Sequence, residues 1–423
     1  MKIIQVTNVE KFAAKIIPKQ PQKNKEIVES IIKKVQKDGD LALKKYEKKF
    51  SGAKLSNLRV SKKEIENAYN KVSKKEISAI KLAKKRLEKT EISIKSNLKD
   101  KIINNDGVKI SKKFVPLQSI GCYIPGGLAK YPSSVIMSVI PAKVAGVKRI
   151  VVVSPPDSNG KINALTIVAA DICGADEIYK VGGAQAIAAL SFGTKSIKKI
   201  EKIVGPGGAF VTAAKSMVSD NTAIDMLAGP TELGIVADNS ANPNYIALDL
   251  ISQAEHSSDT FCYLITNSEK LAKSVNQTIK NLIPKIKRSD FVKKSLTQNG
   301  FLAICKNQSD MIKLANELAP EHLQIMTRNS QNLASKITTP GLILLGNETP
   351  SSASDYILGS NHILPTNGFG KTRGSLSVLD FIKINTQVST TRKSLSKIAN
   401  YLDVFTKAEG LPNHYEAVRG RLE

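Results

Sequence analysis

Apolar and polar positions follow two different patterns along the chain, and the change falls near Lys113. Between residues 20 and 100, apolar residues recur three and four positions apart among charged ones, which predicts amphipathic helices. Beyond Lys113, short apolar runs end in glycine or proline turns and lead into helical patterns, as in KRIVVVSPP followed by ALTIVAADICGA. Strands that alternate with helices predict an α/β fold with largely parallel sheets.

The alternation resumes after Asn242 and continues to Asn347, which predicts two Rossmann-like α/β units. The length of 423 residues also exceeds what one core usually accommodates. A helical pattern returns at about Thr391 and predicts a helical C-terminal tail. The predicted segments are a helical N-terminal segment with the start of the first α/β domain (1–122), an inserted second α/β domain (123–230), the remainder of the first domain (231–375) and the tail (376–423).

A formal net charge of +26 raises the possibility of a nucleic-acid partner, but a solvated basic surface is the simpler interpretation. The excess is mostly lysine at helical spacing beside glutamate, and only 5% of the residues are aromatic. No apolar stretch reaches the roughly 20 residues of a membrane-spanning helix, and the N-terminus lacks the apolar core of a secretory signal. Four widely spaced cysteines are typical of reduced thiols. We expect a cytoplasmic protein with no nucleic-acid or membrane partner.

The chain has only four histidines, and each lies in a compact polar motif. His256 ends the motif QAEH, in which Gln253 is three residues earlier on the same helical face, and Asn242 and Pro243 start that helix. His322 ends PEH, where Pro320 stops a helix and Glu321 is adjacent. A carboxylate beside an imidazole suits acid/base catalysis, although a hydrogen-bonded helix end explains PEH equally well.

The other two histidines lie near acidic residues farther along the chain. Asp355 and His362 are predicted to share a loop, in which Asp355 suits metal ligation and His362 braces the loop. Glu409 and His414 lie in the tail. One glutamine, two histidines and one aspartate would form a zinc site without thiolate, which is more usual for catalytic than for structural zinc.

Glycine pairs follow several predicted strands, as nucleotide-contacting turns do. They lie at Gly126–Gly127, Gly182–Gly183 and Gly205–Gly208, and none forms GxGxxG, so simple tight turns remain the alternative. Cys122 precedes the first of these turns. It is an alternative nucleophile that would form a thiohemiacetal, but no base adjoins it in the sequence.

At these residues the sequence resembles the histidinol dehydrogenase family over nearly its whole length. The motifs that carry the resemblance are KKVQKDGDLALKKYEKKF, GCYIPGGLAKYPSSVIMSVIPAKVAGV, VGGAQAIAAL, DMLAGPTE, DLISQAEH, APEHLQIM, DYILGSNHILPT and EGLPNHYEAVRGRL.

The resemblance implies a role for each matching residue. The implied zinc ligands, one ion per subunit, are Gln253, His256, Asp355 and, from the other subunit of a homodimer, His414. The implied catalytic acid/base pair is Glu321 and His322. The implied substrate contacts are Thr231, Glu409 and His322, together with the zinc ligands. The implied NAD contacts are Tyr123, Gln185 and Gly208. This chain departs from the family at three of its positions: Gly208 replaces the usual Asn, Thr231 replaces Ser, and Ser354 replaces Gly.

The resemblance also implies the reaction, the last steps of histidine biosynthesis. L-Histidinol is oxidised through the bound aldehyde to L-histidine by two NAD molecules, with zinc holding the amino alcohol, His322 taking the hydroxyl proton and Glu321 activating water. A related enzyme acting on another small alcohol is the nearest alternative, but Glu409 near the substrate's amino group favours an amino alcohol.

Overall fold

The computed structural model describes residues 1–16, 24–126 and 130–423. The N-terminal helices agree with the predicted amphipathic pattern, although residues 20–23 lie outside the described part. The first elements are β1 (Lys2–Gln5), α1 (Val9–Ile16), α2 (Lys25–Asp38), α3 (Asp40–Phe50), α4 (Lys62–Tyr69), α5 (Lys74–Lys95), β2 (Lys101–Asn105) and β3 (Val108–Pro116). Both α4 and α5 begin with a capping box, in which a serine and the glutamate three residues later satisfy each other's backbone donors.

A parallel five-stranded sheet follows, in the order β6-β5-β4-β7-β8. Its strands and helices are β4 (Ser119–Tyr123), α6 (Pro132–Ala145), β5 (Arg149–Ser154), α7 (Ala164–Cys173), β6 (Glu177–Lys180), α8 (Gly183–Phe192), β7 (Lys202–Val204), α9 (Ala209–Val218) and β8 (Ala223–Ile224). Buried apolar side chains cover both faces of this sheet, which explains its nearly continuous apolar runs.

The second sheet is parallel and six-stranded, in the order β1-β11-β10-β9-β12-β13, so the N-terminal strand forms one edge. Its remaining elements are β9 (Glu232–Ala237), α10 (Pro243–Ala254), β10 (Phe261–Thr266), α11 (Glu269–Leu282), α12 (Ser289–Gln298), β11 (Phe301–Ile304), α13 (Gln308–Leu318), β12 (His322–Met326), α14 (Ser330–Ala334), β13 (Leu342–Leu345) and α15 (Ser351–Tyr356). The predicted α/β fold with largely parallel sheets is confirmed.

A third, antiparallel sheet in the order β14-β3-β2 was not predicted. It joins β2 and β3 to β14 (Ile382–Ser389), which leads into α16 (Arg392–Ala408) and α17 (Pro412–Arg419). Every residue of β2 is exposed, as are seven of the eight in β14. β14 (IKINTQVS) does alternate apolar and polar residues, but neither β14 nor β2 buries a face, so burial in a core does not form this sheet.

Among the described residues, no helix combines the length and the apolar character needed to cross a bilayer. The four cysteines are all buried and unpaired.

Candidate active site

Two polar motifs meet at the amino ends of neighbouring strands. β9 and β12 run parallel and adjacent, with His322 level with Leu233. Helix α13 ends at Leu318 and is capped by Ala319, whose left-handed backbone (φ 42°) precedes Pro320, and the chain then enters β12. The predicted helix-to-strand junction at Pro320 is thus confirmed. It places Glu321 beside Glu232, the first residue of β9.

Glu232 and Glu321 are linked in both directions. The backbone N–H of Glu232 donates to Glu321 Oε2 over 2.8 Å, and the N–H of Glu321 donates to Glu232 Oε2 over 3.1 Å. Glu232 Oε1 also accepts from the N–H of Asn367 over 2.9 Å. Burial raises the pKa of Glu232 to about 7 and that of Glu321 to about 8, because water is excluded from both carboxyl groups. Such a raised pKa suits Glu321 to proton transfer near neutral pH.

The His322 imidazole is held from both of its nitrogens. Nδ1 lies 3.3 Å from the carbonyl oxygen of Glu232, to which it can donate, and Nε2 lies 3.1 Å from Asp355 Oδ1. Glu321 Oε2 is 3.8 Å from Nδ1. Burial acts to lower the pKa of His322, but the charges of Glu321 and Asp355 outweigh it and raise the pKa. The side chain is 2% exposed, so its orientation is strongly restricted.

Three of the implied metal ligands lie in, or directly after, two helices that pack against each other. Gln253 lies in the last turn of α10, His256 follows that helix, and Asp355 lies in α15, which packs against α10. Gln253 is buried and its amide Nε2 has no hydrogen-bond partner; with the amide turned by 180°, its oxygen takes that unpaired position and can bind a cation. His256 is exposed. An amide oxygen, an imidazole and a carboxylate form a donor set that fits zinc.

The implied fourth ligand, His414, does not belong to this group of three residues. Within the described residues, no three His, Cys, Asp or Glu side chains of one chain form a metal-binding group. His414 and Glu409 are both exposed on the hairpin formed by α16 and α17. Thr231 lies immediately before β9, where its carbonyl accepts from the N–H of Phe261 over 2.9 Å.

The predicted loop position of Asp355 is wrong, because the residue lies in α15. A six-residue helix after Pro350 is too short to show helical periodicity in the sequence. His362 does lie in a loop. Its Nδ1 donates to the carbonyl oxygen of Asp355 over 2.7 Å, and its Nε2 lies 3.3 Å from the hydroxyl of Ser134 on α6. These contacts agree with the bracing role predicted for His362.

The implied NAD contacts lie at the carboxyl edge of the five-stranded sheet, where parallel α/β sheets usually bind nucleotides. Tyr123 ends β4, Gln185 lies in the first turn of α8, and Gly208 caps α9. The Tyr123 hydroxyl accepts from the N–H of Gly183 over 3.1 Å. Gln185 and Gly183 line a cavity of about 230 Å³. Gly127, one of the glycines in the predicted turns, lies outside the described residues.

Glu232 and Glu47 are two buried carboxylates at these sites that the sequence analysis did not single out. The sequence contains a signal for the role of Glu232, since this carboxylate begins the otherwise apolar strand ELGIVA next to Thr231. It contains no such signal for Glu47, because the charged neighbours of Glu47 make it resemble the solvated face of a helix. Cys122, the alternative nucleophile, is fully buried, and this burial raises its thiol pKa to about 12. A thiol in that state is a poor nucleophile.

Two solved structures share this architecture to different degrees. Lactaldehyde dehydrogenase from Escherichia coli superimposes with a TM-score of 0.51 at 11% identity, covering 88% of this chain and 92% of that one. At this identity the similarity concerns the fold alone. A histidinol dehydrogenase structure from Elizabethkingia anophelis superimposes far better, with a TM-score of 0.94 at 37% identity over 100% of this chain and 98% of that one.

Sequence comparison defines the family. A family model for histidinol dehydrogenase matches residues 17–422. Histidinol dehydrogenases from Methanococcus maripaludis and Methanocaldococcus jannaschii are 44% and 42% identical, covering 93% and 94% of this chain and 92% of each relative. The chain belongs to the histidinol dehydrogenase family, and it is therefore an oxidoreductase.

Proposed function

We propose that this protein oxidises L-histidinol to L-histidine in two NAD-linked steps at a zinc-containing site. The observation that carries the proposal is the position of His322, which is fixed between the Asp355 carboxylate and the Glu232 carbonyl with Glu321 beside it. An imidazole and a carboxyl group with a raised pKa supply the two proton-transfer groups that an alcohol step and an aldehyde step require.

His322 and Glu321 act in different steps of the reaction. His322 takes the proton of the substrate hydroxyl on Nε2 in the first step, with Nδ1 still donating to the Glu232 carbonyl and the Asp355 contact at Nε2 released to the substrate. Glu321 takes a proton from water in the second, so that the hydrated aldehyde forms at the site. Burial of both groups excludes bulk water and limits loss of the aldehyde. Zinc held by the implied ligands would orient the amino alcohol, and bound NAD would supply the hydride acceptor.

The zinc ligands we propose are Gln253, His256 and Asp355 from one chain. The unpaired amide of buried Gln253 supports this set, since with its oxygen turned into the unpaired position the buried group would be satisfied by a cation. We propose Tyr123 and Gln185 as contacts to NAD, and Thr231 as a hydroxyl contact to the substrate.

We further propose that the site is shared in a homodimer, with His414 and Glu409 coming from the partner chain. The tail hairpin supports this arrangement because its main packing is between α16 and α17. Large side chains on it are open to solvent: Tyr401 is 72% exposed, Val404 67% and Phe405 66%. An exposed apolar face of this kind is typical of a subunit interface.

The proposed division of roles is tested by separating the two steps. Glu321→Gln should slow oxidation of supplied histidinaldehyde at least about 100-fold, the usual contribution of a general base, and should slow the first hydride transfer less. His322→Asn should slow both. Glu348→Gln, which changes an exposed carboxylate, is the matched control. Small and equal effects of the two site variants on both steps would refute the assigned roles.

A further inference from the structure

The cavity beside the five-stranded sheet contains a carboxylate that comes from outside that sheet. Among the side chains and backbone that line the cavity are Phe50, Pro155, Gly183, Gln185 and Phe210. Glu47, from α3, also lines it and is fully buried. A buried carboxylate is costly unless donors surround it, so its contacts indicate what it does.

Glu47 accepts three hydrogen bonds. Its Oε1 accepts from the N–H of Gly182 over 2.9 Å and from Gln185 Nε2 over 2.8 Å, and its Oε2 accepts from the Ser51 hydroxyl over 3.0 Å. Gly182 is the cap of α8, so the carboxylate occupies the position at which a helix N-terminus attracts an anion. The next N–H, that of Gly183, donates to the Tyr123 hydroxyl. This turn therefore offers neither N–H to a cofactor phosphate.

The same contact determines which way the Gln185 amide faces. If the amide were rotated by 180°, its oxygen would lie against Glu47 Oε1, and two acceptors would meet without a proton between them. Nε2 must therefore face Glu47. Gln185 Oε1 is then left buried without a hydrogen-bond partner, close to Gly183 of the cavity wall: a Cβ added at Gly183 would lie 2.8 Å from this oxygen.

We propose that Glu47 is a positioning residue of the cofactor pocket, which holds the Gln185 amide so that Oε1 accepts a hydrogen bond from a ribose hydroxyl or the adenine amine. The inference rests on the proposed role of Gln185 as an NAD contact. It adds that Gln185 recognises a hydrogen-bond donor of the dinucleotide, and that the N–H groups of Gly182 and Gly183 do not bind its phosphates.

The test measures NAD and NADH affinity of the full-length protein by calorimetry in the absence of histidinol. Glu47→Leu leaves Gln185 Nε2 and the Gly182 N–H without an acceptor and should weaken NAD binding about tenfold. Glu47→Gln keeps an oxygen for both donors and can donate its own amide to the Ser51 hydroxyl, so it should recover most of the affinity. Glu66→Leu, at an exposed glutamate of α4, is the matched control.

A double-mutant cycle then separates positioning from general damage. In a Gln185→Leu background, Glu47→Leu should weaken NAD binding no further, and the KM for histidinol should stay unchanged throughout. Full additivity of the two losses, or wild-type affinity in Glu47→Leu, would overturn the inference. A wild-type protein that binds no NAD would instead refute the proposed function.

An isosteric substitution covers the case in which Glu47→Leu does not fold. Gln185→Glu keeps an acceptor oxygen for NAD but places a second carboxylate against Glu47 Oε1, so it should displace the side chain and weaken NAD binding about tenfold. Wild-type affinity in a folded Gln185→Glu variant would contradict the proposed contact.

Discussion

Glu232 and Glu321 each donate a backbone N–H to the other's carboxylate, over 2.8 and 3.1 Å. The two residues belong to different chain segments, and the exchange ties the amino ends of β9 and β12 together at the site of His322. Because Glu232 also accepts from the His322 ring through its carbonyl, one residue orients both members of the proposed catalytic pair.

Glu232→Gln should therefore impair both stability and catalysis. The carboxylate accepts from two backbone donors, those of Glu321 and Asn367, whereas an amide offers one oxygen and turns its NH2 toward the other donor. The free energy of unfolding should fall by about 1–3 kcal/mol, the cost of a buried unsatisfied donor. Urea unfolding and the rate of histidinaldehyde oxidation measure the two effects, with Glu348→Gln as control. Unchanged values of both would mean that the exchange has no role at the site.

Gly208→Asn should tighten NAD binding. A Cβ at Gly208 would have no atom within 4 Å, and the backbone there is extended (φ −68°), so the side chain is accommodated without strain. One added hydrogen bond corresponds to roughly a two- to tenfold lower dissociation constant. Calorimetric titration with NAD tests this, and the KM for histidinol should not change. Weaker binding would show that the cofactor approaches α9 too closely for a side chain.

Glu91→Gln should change how stability depends on pH. Glu91 is buried in α5 and accepts from the N–H of Val378 over 2.6 Å, and burial raises its pKa from 4.5 to about 7. The folded state therefore holds this proton more tightly than the unfolded state, and stability falls as pH rises from about 4.5 to 7. Relative to the wild type, the variant should gain up to about 3 kcal/mol between pH 4.5 and 8, at about 1.4 kcal/mol per pKa unit. A difference that is constant with pH, measured by urea unfolding, would contradict the raised pKa.

Mixing two inactive variants tests the shared site. His256→Ala and His414→Ala should each be inactive as homodimers, because each lacks a proposed zinc ligand. After subunit exchange at equal concentrations with zinc in excess, half of the dimers are mixed and each contains one intact site. Roughly a quarter of wild-type activity should return. No recovery, with exchange demonstrated by mass spectrometry, would exclude a partner's His414 from the site.

The sequence predicted the elements whose physical signals are local. Pro320 stops α13, and the Asn242–Pro243 pair begins α10, in both cases through backbone chemistry. In the structure, Glu321 and His322 follow the first signal directly, and Gln253 lies in the helix that the second one begins. Relationships between distant segments were not predictable in this way. Glu47 and Gln185 are 138 positions apart, and only the packing of α2 and α3 against α8 brings such residues together. The exposed β2–β3–β14 sheet was missed because pairing rather than burial forms it.

The most direct test of the proposed function is the number of NADH molecules formed for each L-histidinol consumed. With limiting histidinol and excess NAD, absorbance at the NADH band and chromatography of substrate and product give this ratio. The proposed function predicts two NADH per histidinol, with L-histidine as the product and little free aldehyde in solution. A ratio of one, with histidinaldehyde accumulating, would contradict it.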